Sequence, residues 1–204
     1  MAESYPVPSR VEEVELRFKN SRFIGVAGPG ASVEEARAFI ATVRQKYPDA
    51  SHHVYAYAVG YGASVTHGMS DDGEPSGTAG RPALAVVRGS GLGDVAVVIA
   101  RYFGGTKLGT GGLVKAYTET AQAALAAVPQ EMKVDEIQAR VSLGYEFYEP
   151  CKMQIESCGG RIEGEDFGGK VELTLAIAKE RLEDLQDAVR ELTSGRVEIE
   201  PIAQ

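Results

Sequence analysis

The chain has 204 residues, of which 44% are apolar and 25% charged, and a formal net charge of −8. This length allows one large domain or two small ones, with enough chain to bury a core without disulfides or metals. Ample Val, Ile, Leu and Ala exclude a disordered or collagen-like chain, and no apolar run approaches the roughly 18 residues of a membrane span.

The start, Met1-Ala2-Glu3-Ser4-Tyr5-Pro6, has neither the basic nor the apolar stretch of a signal peptide. A cytoplasmic protein with no membrane partner is therefore expected. Charge is distributed unevenly. Residues 1–130 carry 12 Lys or Arg and 12 Asp or Glu, whereas residues 131–204 carry 9 and 17. The step predicts two bodies, residues 1–130 and 131–204, and leaves the first able to present a local basic face.

Residues 11–18 and 22–27 alternate as strands around the turn Lys19-Asn20-Ser21. Ser32 and Glu35 form a capping box, which predicts a helix over 33–47 that Pro48-Asp49 ends. Its apolar face is Ala36, Phe39, Ile40 and Val43. Residues 53–59 read as a strand, with 63–67 as its hairpin partner. Fourteen of the 24 glycines then fall between Gly60 and Gly112, too many for packed helix or central strand throughout. Within that stretch, a helix is expected over 82–88 and an apolar strand over 95–100. A long helix over 113–127 ends before Pro129.

The last third is more regular. Strands are expected over 137–143, 161–167, 171–178 and 197–199, with helices over 147–157 and 181–193. The order β-α-β-β-α-β is that of a ferredoxin-like split unit. Cys151 and Cys158 share a helix face about 10 Å apart along the axis, too far to pair, and read as reduced core thiols.

Two segments carry chemistry. The first, Ser70-Asp71-Asp72-Gly73-Glu74-Pro75-Ser76-Gly77-Thr78-Ala79-Gly80, offers Asp71, Asp72, Glu74, Ser76 and Thr78. These oxygens either hold Mg²⁺ or form a turn bonded to nearby backbone N–H groups, and composition favours the turn. The second, Arg101-Tyr102-Phe103-Gly104-Gly105-Thr106-Lys107-Leu108-Gly109-Thr110-Gly111-Gly112-Leu113-Val114-Lys115, follows a strand and leads into a helix.

In that second segment, unhindered N–H groups of Gly104, Gly105, Gly109, Thr110, Gly111 and Gly112 stand beside Arg101, Lys107 and Lys115, which suits an anion. It spells neither a Walker A loop nor a dinucleotide fingerprint. No nucleophile–base constellation is legible, so no catalytic residue is assigned. His52 and His53 would point to opposite strand faces and cannot chelate one metal. Tyr55, Tyr57 and Phe103 read as core or loop packing rather than as a base-stacking platform.

These segments, together with Ser21-Arg22-Phe23-Ile24 and His53-Val54-Tyr55-Ala56-Tyr57, resemble the IMPACT/YigZ family over about residues 15–128. The last third resembles the small domain that follows in bacterial members, similar to the ferredoxin-like domains of elongation factor G. For the first domain the resemblance implies an α+β fold like domain two of a small-subunit ribosomal protein: a four-stranded sheet with two helices and a left-handed βαβ crossover. The chain departs modestly from the family pattern at Ser51, His53 and Thr106, none of which touches the glycines or Lys107.

The family's eukaryotic members act in translational control. The leading expectation is thus a non-enzymatic, cofactor-free protein contacting RNA or the ribosome through the Gly-rich basic loop. The alternatives are a Mg²⁺-dependent nucleotide-binding phosphoryl-transfer or hydrolytic enzyme, and a module that docks a protein partner through the Glu74-Pro75-Ser76-Gly77-Thr78 loop.

Overall fold

The computed structural model describes residues 4–62 and 64–202. The chain divides into two compact units, Tyr5–Lys133 and a second built on residues 134–204. No helix among the described residues is long and apolar enough to cross a membrane.

In the N-terminal unit, β2 (Glu12–Phe18), β3 (Ser21–Pro29), β4 (His52–Val59), β5 (Thr66–Ser70) and β6 (Val95–Tyr102) form one sheet in the order β2-β3-β6-β4-β5. Every neighbouring pair is antiparallel. A separate ribbon pairs β1 (Ser4–Pro8) with β7 (Gln130–Val134). The helices are α1 (Val33–Lys46), α2 (Gly80–Gly89) and α3 (Gly109–Ala127).

The expectation of four strands and two helices is corrected to five strands and three helices. The reason lies in the central strand. β6 is buried along nearly its whole length, so both faces of the sheet need cover. Val95, Val97 and Ile99 pack with Phe23, Val54, Ala83 and Tyr117 under α2 and α3. Ala96, Val98 and Ala100 pack with Ile24, Ala36, Ile40 and Val43 under α1.

Local signals behave as read where they are strong. Ser32 Oγ accepts the Glu35 N–H (3.1 Å), and the Glu35 carboxylate reaches back to the Ala31 N–H (2.9 Å), so α1 begins where the capping box requires. The hairpin partner of β4 falls three residues later than expected, at Thr66–Ser70, and Ala63 lies outside the described residues. α3 starts at Gly109 rather than at Leu113, running through glycines that propensity alone would have left in the loop.

In the C-terminal unit, β8 (Glu136–Leu143), β9 (Arg161–Phe167), β10 (Val171–Ala178) and β11 (Ile199–Pro201) form an antiparallel sheet ordered β11-β8-β10-β9. Helices α4 (Tyr148–Ser157) and α5 (Leu182–Thr193) pack on one of its faces. Cys151 and Cys158 are free thiols that join this core. Cys158 also opens the helix stop: the Gly160 N–H bonds the Ile155 carbonyl (2.8 Å), and Gly159 takes a φ of +79°.

Helix α3 approaches β3 closely at Gly25. A Cβ there would stand 2.8 Å from Thr120 Cγ2 and 3.1 Å from the Thr120 carbonyl oxygen. Gly25→Ala is therefore expected to destabilise the N-terminal unit by about 1–3 kcal/mol, the usual cost of overpacking. Urea unfolding followed by circular dichroism measures it; an unchanged midpoint would contradict the tight α3–β3 contact.

Candidate nucleic-acid interface

The two segments singled out by sequence meet in the interior. Residues 95, 97, 99 and 101 share one face of β6, so Arg101 follows three core aliphatics inward and only about 5% of it remains exposed. A charge so placed needs a counter-charge, and Glu74 supplies it. Arg101 Nη1 donates to Glu74 Oε1 at 2.5 Å, and the Tyr117 hydroxyl from α3 donates to the same oxygen at 2.7 Å. Burial, followed by the bond to Glu74, pushes the Tyr117 phenol far above its ordinary range.

His52, opposite Arg101 on β4, brings Nε2 to 3.9 Å from that Glu74 oxygen. Its Nδ1 lies 2.8 Å from the Asp72 carbonyl oxygen, which can only accept, so Nδ1 carries the proton of that bond. Arg101 Nε is buried without a partner among the described residues.

The other carboxylates of the acidic loop are spent separately. Asp71 Oδ1 accepts the N–H groups of Ala79 (3.1 Å) and Gly80 (2.8 Å), and its Oδ2 accepts that of Gly77 (2.9 Å). It thereby caps α2 from nine residues away. Burial alone would raise its pKa. The three N–H bonds and the nearby Arg81 charge outweigh that and hold it below its usual value. Asp72 ties the His53 N–H to Arg44, both at 2.6 Å.

Thr78 is buried and donates to the Pro75 carbonyl (2.6 Å), while Ser76 stays exposed. Asp71, Asp72 and Glu74 thus do not converge into a Mg²⁺ cage, because each already has its own donors. No group of three or more His, Cys, Asp or Glu among the described residues is placed to hold a metal ion.

The glycine segment is the solvent-facing half. Gly104 is pressed on the hairpin turn: its N–H bonds Ser21 Oγ (3.3 Å), and a Cβ would lie 1.9 Å from the Asn20 carbonyl oxygen. Gly109 opens α3 with a φ of +76°. Gly105, Lys107, Gly109, Thr110, Gly111 and Lys115 are exposed, and Gly104 and Gly112 partly so. The first turn of α3 carries no acid and no side-chain cap. The other two helices of this unit have their first N–H groups occupied, by Ser32 and by Asp71.

Arg101, expected among the phosphate-reading cations, is corrected to an interior positioning role, since its guanidinium faces Glu74. Lys107 makes no side-chain ion pair among the described residues. Lys115 sits 3.8 Å from Glu119 in an exposed pair worth little. Lys19 was missed: its Nζ donates to the Lys107 carbonyl (3.2 Å), bringing a further cation to the loop. Tyr57 is buried, but Phe103 is 49% exposed.

A buried Glu–Arg–Tyr cluster beneath a glycine-rich cationic loop, on a five-stranded antiparallel sheet and followed by a small α+β unit, defines the class. Residues 19–125 match the Impact N-terminal domain, and residues 154–196 match a domain of unknown function, DUF1949. The chain belongs to the IMPACT family. It is 38% identical to an IMPACT family member of Haemophilus influenzae, over 98% of this chain and 97% of that one. It is also 35% identical to the IMPACT family member YigZ of Escherichia coli, over 97% of each. A crystal structure titled as that of a hypothetical protein superposes over the full length of both chains with a TM-score of 0.76 and 34% identity.

Two substitutions probe the cluster. Glu74→Gln leaves the Arg101 charge buried and uncompensated, with an expected loss of about 3–5 kcal/mol in urea unfolding. Adding Arg101→Met should restore much of it, and a double variant no better than the single would refute the pairing. Asp71→Asn removes a carboxylate that is stabilising in its ionised form. Because the folded pKa is lowered, that contribution is full above the unfolded value near 4 and fades as pH falls through the folded one. The variant should be less stable by about 1–3 kcal/mol at pH 7. Below about pH 4 its melting curve should converge on that of the native chain.

Proposed function

We propose that this is a non-enzymatic binding protein of the translation apparatus that contacts RNA, as free RNA or in the ribosome, through the loop from Gly104 to Gly112. The observation that carries the reading is the start of α3. It is the one helix start of the N-terminal unit whose first N–H groups have no side-chain cap among the described residues, and it lies beside the exposed Lys107. Backbone N–H groups and the positive end of a helix favour phosphate oxygens. Glycines at 109, 111 and 112 keep side chains from shielding them. With few cations, binding is salt-sensitive and directed by shape rather than by sequence readout.

The fold likeness supports the same reading. β3 and β4 are parallel and joined through α1; β5 and β6 are parallel and joined through α2. The two units are related by a half turn in the sheet plane, so helices on one face would give both crossovers the same hand. α1 and α2 lie on opposite faces, and one crossover is then left-handed, against the usual rule. This supports a likeness to domain two of a small-subunit ribosomal protein. The C-terminal order β11-β8-β10-β9 supports a ferredoxin-like unit. The separate engagement of Asp71, Asp72 and Glu74 weighs against the Mg²⁺-nucleotide enzyme, and we place the working protein in the cytoplasm without a cofactor.

Replacing Lys107 and Lys115 together by Ala should weaken RNA binding and flatten its log–log salt dependence by up to about 1.4, at about 0.7 per single-strand phosphate contact. Co-sedimentation with ribosomes and fluorescence anisotropy on RNA, each at two salt concentrations, make the check. Unchanged affinity and slope would remove this site.

A further inference from the structure

Phe103 is 49% exposed, with the Arg101 guanidinium near its ring. It stands between the buried Arg101 and the tight Gly104-Gly105 turn and stacks on no other aromatic ring among the described residues. Its position is nonetheless closely held. The Phe103 N–H bonds Ser51 Oγ (3.3 Å), the next N–H bonds Ser21 Oγ (3.3 Å), and Gly104 leaves no room for movement toward Asn20. The Arg101 guanidinium lies 5.7 Å from the ring centroid and is itself fixed by Glu74. The ring is thus held on a fixed base while about half of its surface stays open to solvent, next to the cations of the loop.

Resting on the RNA reading above, we infer that Phe103 is a stacking platform for an unpaired nucleobase, and that the ligand of this surface is single-stranded rather than duplex RNA. The surroundings select that occupant. Lys107 is four residues away, at most about 14 Å along an extended chain. Lys19 is bonded to the Lys107 carbonyl, so two cations belong to the same loop as the ring and can meet the phosphates of a strand stacked on it. With a guanidinium close by, the ring is less inviting to another cation than to a neutral π system such as a base. Bases in a duplex are already stacked and present no open face, whereas unpaired ones are recognised on aromatic side chains.

The test is fluorescence anisotropy of the full chain with a 12-nucleotide oligoadenylate and with a 12-base-pair RNA duplex, across a salt series. Phe103→Ala should weaken the single strand about 5- to 150-fold, the usual cost of removing a stacking ring, and leave its salt slope unchanged. Duplex affinity should not move, and Phe103→Trp should bind the single strand as well as the native chain or better. If Phe103→Ala binds the single strand normally while the Lys107/Lys115 double variant does not, the stacking role is overturned and the phosphate reading stands. Equal weakening toward duplex and single strand, or no rescue by Trp, also overturns it. If the native chain binds neither RNA, the stacking role falls, and co-sedimentation with ribosomes decides the phosphate reading separately.

Discussion

The ion pair between Glu74 and Arg101 is the constraint on which the rest of the N-terminal unit depends. A guanidinium on the inner face of a buried strand cannot remain without a counter-charge, because desolvating it alone would cost several kcal/mol. Glu74 therefore has to come in, and it brings the whole 71–79 loop with it. Once that loop is drawn over the sheet, Asp71 is placed to cap α2 and Asp72 to bridge β4 and α1. Tyr117 reads the same carboxylate from α3 and so ties the orientation of that helix to the pair. The loop and α3 are thus fixed on one Glu74 oxygen, and α1 and α2 are fixed to that loop through Asp72 and Asp71.

The consequence for function is a division of labour between the two motifs. The acidic residues, which look in isolation like ligands, are consumed in building the interior. The glycine-rich segment just beyond Arg101 is what the interior holds out to solvent. Its N–H groups at the start of α3 are uncapped, the cations Lys107 and Lys19 are gathered at its edge, and Phe103 stands above the guanidinium. In the C-terminal unit the excess acid is spread over strands and helices, and part of it is paired across strands, as in Arg161 with Glu136 and Glu163 and Arg140 with Glu200. Such exposed pairs add little stability and read as solubilising surface.

Much of this was legible in the chain. The capping box at Ser32, the turn at Asn20, the helix stop at Gly159 and the alternation along β8 and β10 are local signals, and the elements they announce formed where expected. The site was only half legible. Alternation along β6 does place Arg101 with Val95, Val97 and Ile99, which was signal enough to expect it inside; its place beside a glycine loop suggested the surface instead. Nothing local pairs it with Glu74, 27 positions earlier. Lys19 belongs to the loop only because a hairpin turn is pressed against Gly104, a contact between segments more than 80 residues apart.

By itself the sequence determined the elements whose cause is short-range: helices bounded by caps and breakers, strands with a two-residue period, and the regular β-α-β-β-α-β order of the last third. Only the tertiary structure decided the remainder. It extended α3 back to Gly109, covered both faces of the sheet, moved Arg101 from the surface to the core and left Phe103 exposed. The physical reason is the same in each case. Hydrogen bonds and periodicity within a segment are written in neighbouring residues, whereas burial and charge compensation are settled by whichever distant groups the folded chain brings together.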